Sequence, residues 1–194
     1  MNKNERERLR NSLQKRLKEE SCFEGKLALR EWLLCELGLS TGLRVSEIRN
    51  LRMNHLFLNE SRPFIFVEMG KGGKSRMVEI DRQFAKTMKL FLKVKEKEET
   101  PPSNQPLFYS KRAKGKYSTR ALEYSFKKCL RMAGISTNLS IHSLRHTYSL
   151  ALYKATKYNI RYVQKQLGHS SLHVTEIYLQ SLMAELQEPL QKLY

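Results

Sequence analysis

Helical spacing dominates this chain except at one place, and that exception limits the folds open to it. Residues 63–68 are aromatic and β-branched, and residues 75–80 alternate in the manner of a strand. Between them lies Gly70-Lys71-Gly72-Gly73-Lys74, a glycine-rich turn. The pair reads as one β-hairpin with lysines at its tip. A single hairpin inside a helical pattern predicts a mainly α domain with one small antiparallel sheet, an α+β fold.

The helical segments can be placed from their apolar spacing. Residues 2–20 predict an exposed helix whose thin stripe is Leu9, Leu13 and Leu17, and residues 21–25 break it. Residues 26–37 form a stronger amphipathic pattern, ended by Gly38. A shorter one holds Leu43, Val45, Ile48 and Leu51, and residues 82–97 return to helical spacing. Residues 100–106 carry three prolines and read as a linker. A short strand at 107–109 follows, then helices over 119–133, 142–156 and 159–167, and a helical turn at 175–179. Residues 182–194 are apolar on one side but interrupted by Pro189, and there is no internal repeat.

Charge narrows the partner. Thirty-six Lys and Arg against nineteen Asp and Glu leave +17, with a pI near 9.9. Such an excess repels itself in a compact fold and suits a polyanion, nucleic acid before an anionic membrane surface. The N-terminal segment is too charged for a signal peptide, and residues 27–39 are cut by Arg30, Glu31 and Glu36, so no bilayer span is expected. Cys22, Cys35 and Cys129 lack CxxC spacing, which fits a reducing cytoplasm rather than a disulfide framework. Lys111, Arg112, Lys114, Lys116 and Arg120 form a basic stretch without an acid, beside Tyr109 and Tyr117. With Lys74 and Arg76 they are candidate contacts to a DNA backbone.

His142 and His146 have the helical spacing of a zinc pair, yet Ser143 stands where a metal hydrolase needs glutamate, and no third ligand follows. No metal is expected. Taken singly, Arg44, Lys71, His169 and Tyr178 would pass for surface, turn, cap and core residues. Two arginines, two histidines, a lysine and a tyrosine are, as a set, what metal-free attack on a phosphodiester requires. Arginine forks hold the non-bridging oxygens, histidine shares a proton, lysine protonates a departing oxygen, and tyrosine supplies the nucleophile.

The sequence resembles the tyrosine recombinases, or phage integrase family, from about Lys26 to Tyr178. TGLRVSE looks like the segment of the first catalytic arginine, Arg44, with Glu47 as its associated acid. GKGGKSR resembles the family's hairpin and places the catalytic lysine at Lys71, with Lys74 as the competing assignment. HSLRHT resembles the His-x-x-Arg box, giving His142 and Arg145. LGHSS supplies His169, nine residues before Tyr178.

The resemblance implies a recombinase catalytic-domain fold over 26–180, preceded by a charged helix and linker at 1–25. It implies a tail at 181–194 that packs onto a neighbouring protomer. The implied activity is site-specific recombination of double-stranded DNA through a 3′-phosphotyrosine, with no cofactor, metal or ATP. The implied assembly is a homotetramer on DNA and a monomer or dimer when free, in the cytoplasm and nucleoid, with no membrane partner. Type IB topoisomerase activity and a non-catalytic DNA-binding role on the same scaffold are the competing readings. Two departures stand out. Nothing before Lys26 is long enough for the core-binding domain that family members commonly carry, and the turn at 157–159 lacks the family's frequent glycine.

Overall fold

A computed structural model of the chain describes residues 1–19, 22–68, 75–99, 104–110 and 114–168. Within them the order is α1 (Lys3–Glu19), α2 (Cys22–Thr41), α3 (Val45–Asn50), β1 (Leu56–Phe57), β2 (Phe64–Val67), β3 (Arg76–Glu79) and α4 (Arg82–Glu99). Then follow β4 (Tyr109–Ser110), β5 (Gly115–Lys116), α5 (Thr119–Met132), α6 (Ile141–Ala155) and α7 (Ile160–Leu167). The expected mainly helical α+β fold is what the chain adopts, with two small antiparallel sheets among the described residues where one was expected.

Helix α2 is the axis, touching α1, α4, α5 and α6. A helix enclosed on several sides must be apolar nearly all round, and Trp32, Leu33, Leu34, Cys35, Leu37 and Leu39 are buried. Its acids Glu31 and Glu36 are buried too. A carboxylate taken out of water is costly unless partners come with it. Glu31 is bonded by Arg16 of α1 and by Lys128 of α5, the latter at 3.2 Å. Glu36 accepts a fork from Arg10 at 2.8 and 2.9 Å.

These pairs correct the expectation of an exposed leader before residue 26. Leu9 and Leu13 are buried in the common core, and Arg8 donates to the Gly134 carbonyl. Residue 26 lies inside α2, so the packed body includes α1. The spacing pattern suggests solvent on three sides of α1 because it cannot show that α2's acids wait there.

A second correction concerns Gly38, which ends no helix. Helix α2 runs through it to Thr41. A Cβ at Gly38 would lie 2.5 Å from Leu144 Cδ1 and 3.0 Å from Leu144 Cβ. The glycine is there to let α6 cross closely, which sets α6 beside the turn leading into α3.

The β1, β2 and β3 strands form one antiparallel sheet, in register through Leu56↔Ile65, Ile65↔Val78 and Val67↔Arg76. Strands β2 and β3 match the two expected runs, whereas β1, two residues long, carries no legible period. Ile65, Val67 and Val78 face the core. Tyr109 and Ser110 pair with Lys116 and Gly115 in a second small sheet, which the strand expected at 107–109 only partly anticipates.

Helix α7 starts on Asn159, whose side chain accepts the Tyr162 N–H at 3.0 Å, and stops at Gly168 in the left-handed region, φ 65°. In the turn before it, Lys157 and Tyr158 both have positive φ, 50° and 67°. That conformation costs non-glycine residues roughly 1–2 kcal/mol each. Tyr158 offsets part of it by donating to the Tyr153 carbonyl at 2.8 Å and meeting the Tyr153 ring edge-on at 5.1 Å.

Gly38→Ala tests the crossing. In an exposed helix the change would stabilise by about 1 kcal/mol. Here overpacking, about 1–3 kcal/mol, reverses the sign, so the urea midpoint should fall.

Candidate active site

Arg44 stands at the start of α3. Its backbone N–H donates to Glu47 Oε2 at 2.8 Å and its Nη1 to Glu47 Oε1 at 2.9 Å. One carboxylate thus satisfies a helix-end amide and holds the side chain of the same residue. From the sheet, Arg76 closes a fork on the same carboxylate, Nη1 to Oε1 at 2.8 Å and Nη2 to Oε2 at 3.0 Å. Burial alone pushes the Glu47 carboxyl up. The bonds and charge of Arg76, then those of Arg44, outweigh it and hold the group below the usual carboxylate range.

Arg76 is therefore not placed as the sequence suggests. Grouped there with outward-facing DNA contacts, it instead turns inward, and its Nε donates to the Gln166 carbonyl at 3.1 Å. Lys116, on β5, reaches Asn50 Oδ1 at 3.0 Å and lines an open cavity of about 250 Å³ with Glu47, Asn50, Arg52 and Glu68. Lys114 and Arg120 are exposed.

Helix α6 carries His142 and Arg145 in its first turns. Its N-terminus is set by the Ser140 N–H, which donates to Ser143 Oγ at 3.1 Å, and by Glu123, which accepts the Ile141 N–H at 3.2 and 3.3 Å. Arg145 is only 2% exposed. Its Nη1 donates to the Gly42 carbonyl at 2.6 Å and its Nη2 to the Leu167 carbonyl at 2.8 Å. The guanidinium joins the turn before Arg44 to the end of α7, two residues ahead of His169.

His142 lies on the exposed side of that turn. Partial burial, then the charges of Arg145, His146 and Arg44, lower its pKa, against a smaller opposite pull from Glu123. Near neutral pH it is an uncharged imidazole, able to donate or accept a proton.

The fold thus gathers Arg44, Glu47, His142 and Arg145 from two separate sequence motifs. Lys71, Lys74, Lys111, Arg112, His169, Tyr178 and the tail from 181 lie outside the described residues. Two contributors escape a sequence reading, Glu123 and Gln166. For Gln166 the one signal is a polar residue at helical spacing from Val163 on the apolar face of α7.

Comparison with known proteins decides the family. The model of the phage integrase family matches residues 1–185. The chain belongs to the phage integrase family. Among its phage integrase relatives, tyrosine recombinase XerC of Caldanaerobacter subterraneus subsp. tengcongensis is 33% identical over 171 residues, 88% of this chain and 46% of that protein. Tyrosine recombinase XerA of Pyrococcus horikoshii is 33% identical over 167 residues, 84% of this chain and 55% of that protein. The chain spans about half the length of these relatives.

The crystal structure of XerA recombinase superposes with a TM-score of 0.75 at 26% identity, covering 97% of this chain and 64% of that one. The XerH site-specific recombinase bound to palindromic difH substrate, in a post-cleavage complex, gives 0.76 at 25%, covering 97% and 51%. The fold is that of the tyrosine recombinase catalytic domains.

Glu47→Gln tests the electrostatic centre. Losing charge-assisted bonds from two guanidiniums should cost about 1.5–3 kcal/mol at pH 7. The folded state lowers this pKa, so its stabilisation is complete above the unfolded value near pH 4.3 and fades as pH falls through the folded value. Unfolding midpoints of wild type and variant should differ at neutral pH and converge as pH falls through the lowered folded value.

Proposed function

We propose that the chain is the catalytic domain of a site-specific DNA recombinase that cuts and rejoins strands through Tyr178. The observation that carries this is the convergence of Arg44, His142 and Arg145 on one patch, with Arg44 held by the buried Glu47 and Arg145 by the Gly42 and Leu167 carbonyls. Three guanidiniums, those of Arg44, Arg76 and Arg145, accompany one carboxylate, so the patch suits a phosphate diester.

In this scheme the Tyr178 hydroxyl gives its proton to the uncharged His142 imidazole as its oxygen attacks the scissile phosphorus, and the bond to the 5′ oxygen breaks. The electron pair leaves with that oxygen, which takes a proton from Lys71. Arg44 and Arg145 neutralise the oxygens that gain charge as phosphorus becomes five-coordinate. The neutral imidazole of His142, with His169, holds or donates a proton there, and an arriving phosphate raises the His142 pKa by supplying the missing negative charge. The phosphotyrosine ester keeps the bond energy, so a second 5′ hydroxyl religates the strand without ATP, and no metal enters the scheme.

Lys74, Lys111, Arg112, Lys114, Lys116 and Arg120 are assigned to the DNA backbone. The substrate is double-stranded DNA carrying a specific recombination site, acted on by a homotetramer whose tails, 181–194, exchange between protomers. The basic composition and the DNA-bound relative support the partner.

Tyr178→Phe removes one hydroxyl and should leave duplex affinity unchanged. On a nicked suicide duplex the wild-type chain should form a denaturation-resistant protein–DNA adduct and the variant none. An adduct persisting in the variant would move the nucleophile elsewhere and defeat the assignment.

A further inference from the structure

We infer that Arg76 is a positioning residue of the cleavage site, a conclusion that rests on the recombinase reading. It holds the lysine-bearing hairpin and the turn before His169 in register with Arg44, without contacting DNA. Arg76 opens β3, directly after the segment that carries Lys71. Both terminal nitrogens grip the Glu47 carboxylate, at 2.8 and 3.0 Å, and Nε grips the Gln166 carbonyl at 3.1 Å. Its side chain is 11% exposed. One guanidinium therefore ties three chain segments, each leading to a different candidate catalytic residue.

Two further features point the same way. Gly168 has φ +65°, and a Cβ there would meet Arg76 Cδ at 2.6 Å and Nε at 2.8 Å. The approach to His169 is thus built against the Arg76 side chain. At the other end of β3, the Glu79 N–H donates to Gln166 Oε1 at 3.1 Å, and Tyr162 Oη donates to the Glu79 carboxylate at 3.2 Å. Strand β3 is clasped to α7 at both ends. Lys71 lies five residues before Arg76 in sequence, so the clasp on β3 fixes the described backbone nearest to it. Lysine could keep the charge of Arg76 but not its fork.

The test uses the full chain and three measurements. Arg76→Gln removes the charge. Its affinity for a random-sequence 30-bp duplex should keep the wild-type salt slope, whereas a lost phosphate contact would flatten that slope by about 0.9. Arg76→Lys keeps the charge and breaks the fork. Amide hydrogen exchange should accelerate about tenfold in peptides covering 76–80 and 160–168 and stay unchanged in α5, which separates loss of the clasp from general destabilisation. Adduct formation by Arg76→Lys, on the same nicked suicide duplex as for Tyr178→Phe, should slow about 10- to 100-fold at unchanged affinity.

A flattened slope in Arg76→Gln, unchanged local exchange in Arg76→Lys, or an unchanged adduct rate would each overturn the inference. If the wild-type chain forms no adduct, the recombinase reading fails, and the slope and exchange still decide whether Arg76 is the clasp.

Discussion

A buried carboxylate stays charged only where enough donors surround it, and much of this structure follows from meeting that condition at Glu47. Four hydrogen bonds reach it, two from Arg44 and two from Arg76. To supply them the chain must begin α3 at Arg44 and bring the first residue of β3 against α3. Removing one partner would leave the others holding an underbonded charge in a poorly solvated place, which is why such clusters are costly to break. Glu47 is thus the point where the helical body and the hairpin meet.

Arg145 does for the opposite wall what Glu47 does for the hairpin. It lies almost fully buried and donates to two main-chain carbonyls, at Gly42 and Leu167. Carbonyl oxygens at a turn and at a helix end have no partner within their own element, so a guanidinium fork satisfies them and joins the two segments. The close approach of α2 and α6 at Gly38 makes this reach possible. The result is a frame in which the guanidiniums of Arg44, Arg76 and Arg145 outnumber the one carboxylate of Glu47.

Much of this was legible in the residues. Alternation and a glycine-rich turn predict β2 and β3, apolar spacing predicts α4 to α7, and the resemblance to the phage integrase family implies Glu47 as the acid associated with Arg44. What was not legible depends on tertiary partners. Helix α1 looks exposed until Glu31 and Glu36 are seen waiting for Arg16 and Arg10. Gly38 looks like a helix end until Leu144 is placed beside it. Arg76 reads as one more cation of a basic chain, because nothing local says that its acid lies 29 residues away. Each is a pairing between segments far apart in sequence, which periodicity cannot carry.

The central claim is that Arg44 neutralises a phosphate rather than merely holding DNA near. Replacing the scissile phosphate by an uncharged methylphosphonate removes the need for that neutralisation while keeping the nucleophile and leaving group. On ordinary DNA, Arg44→Ala should cleave roughly 10²–10³-fold more slowly than wild type. On the methylphosphonate duplex the two rates should come within a small factor of each other. An equal deficit on both substrates would contradict the account, because Arg44 would then act through binding or structure and not on the charge of the phosphate.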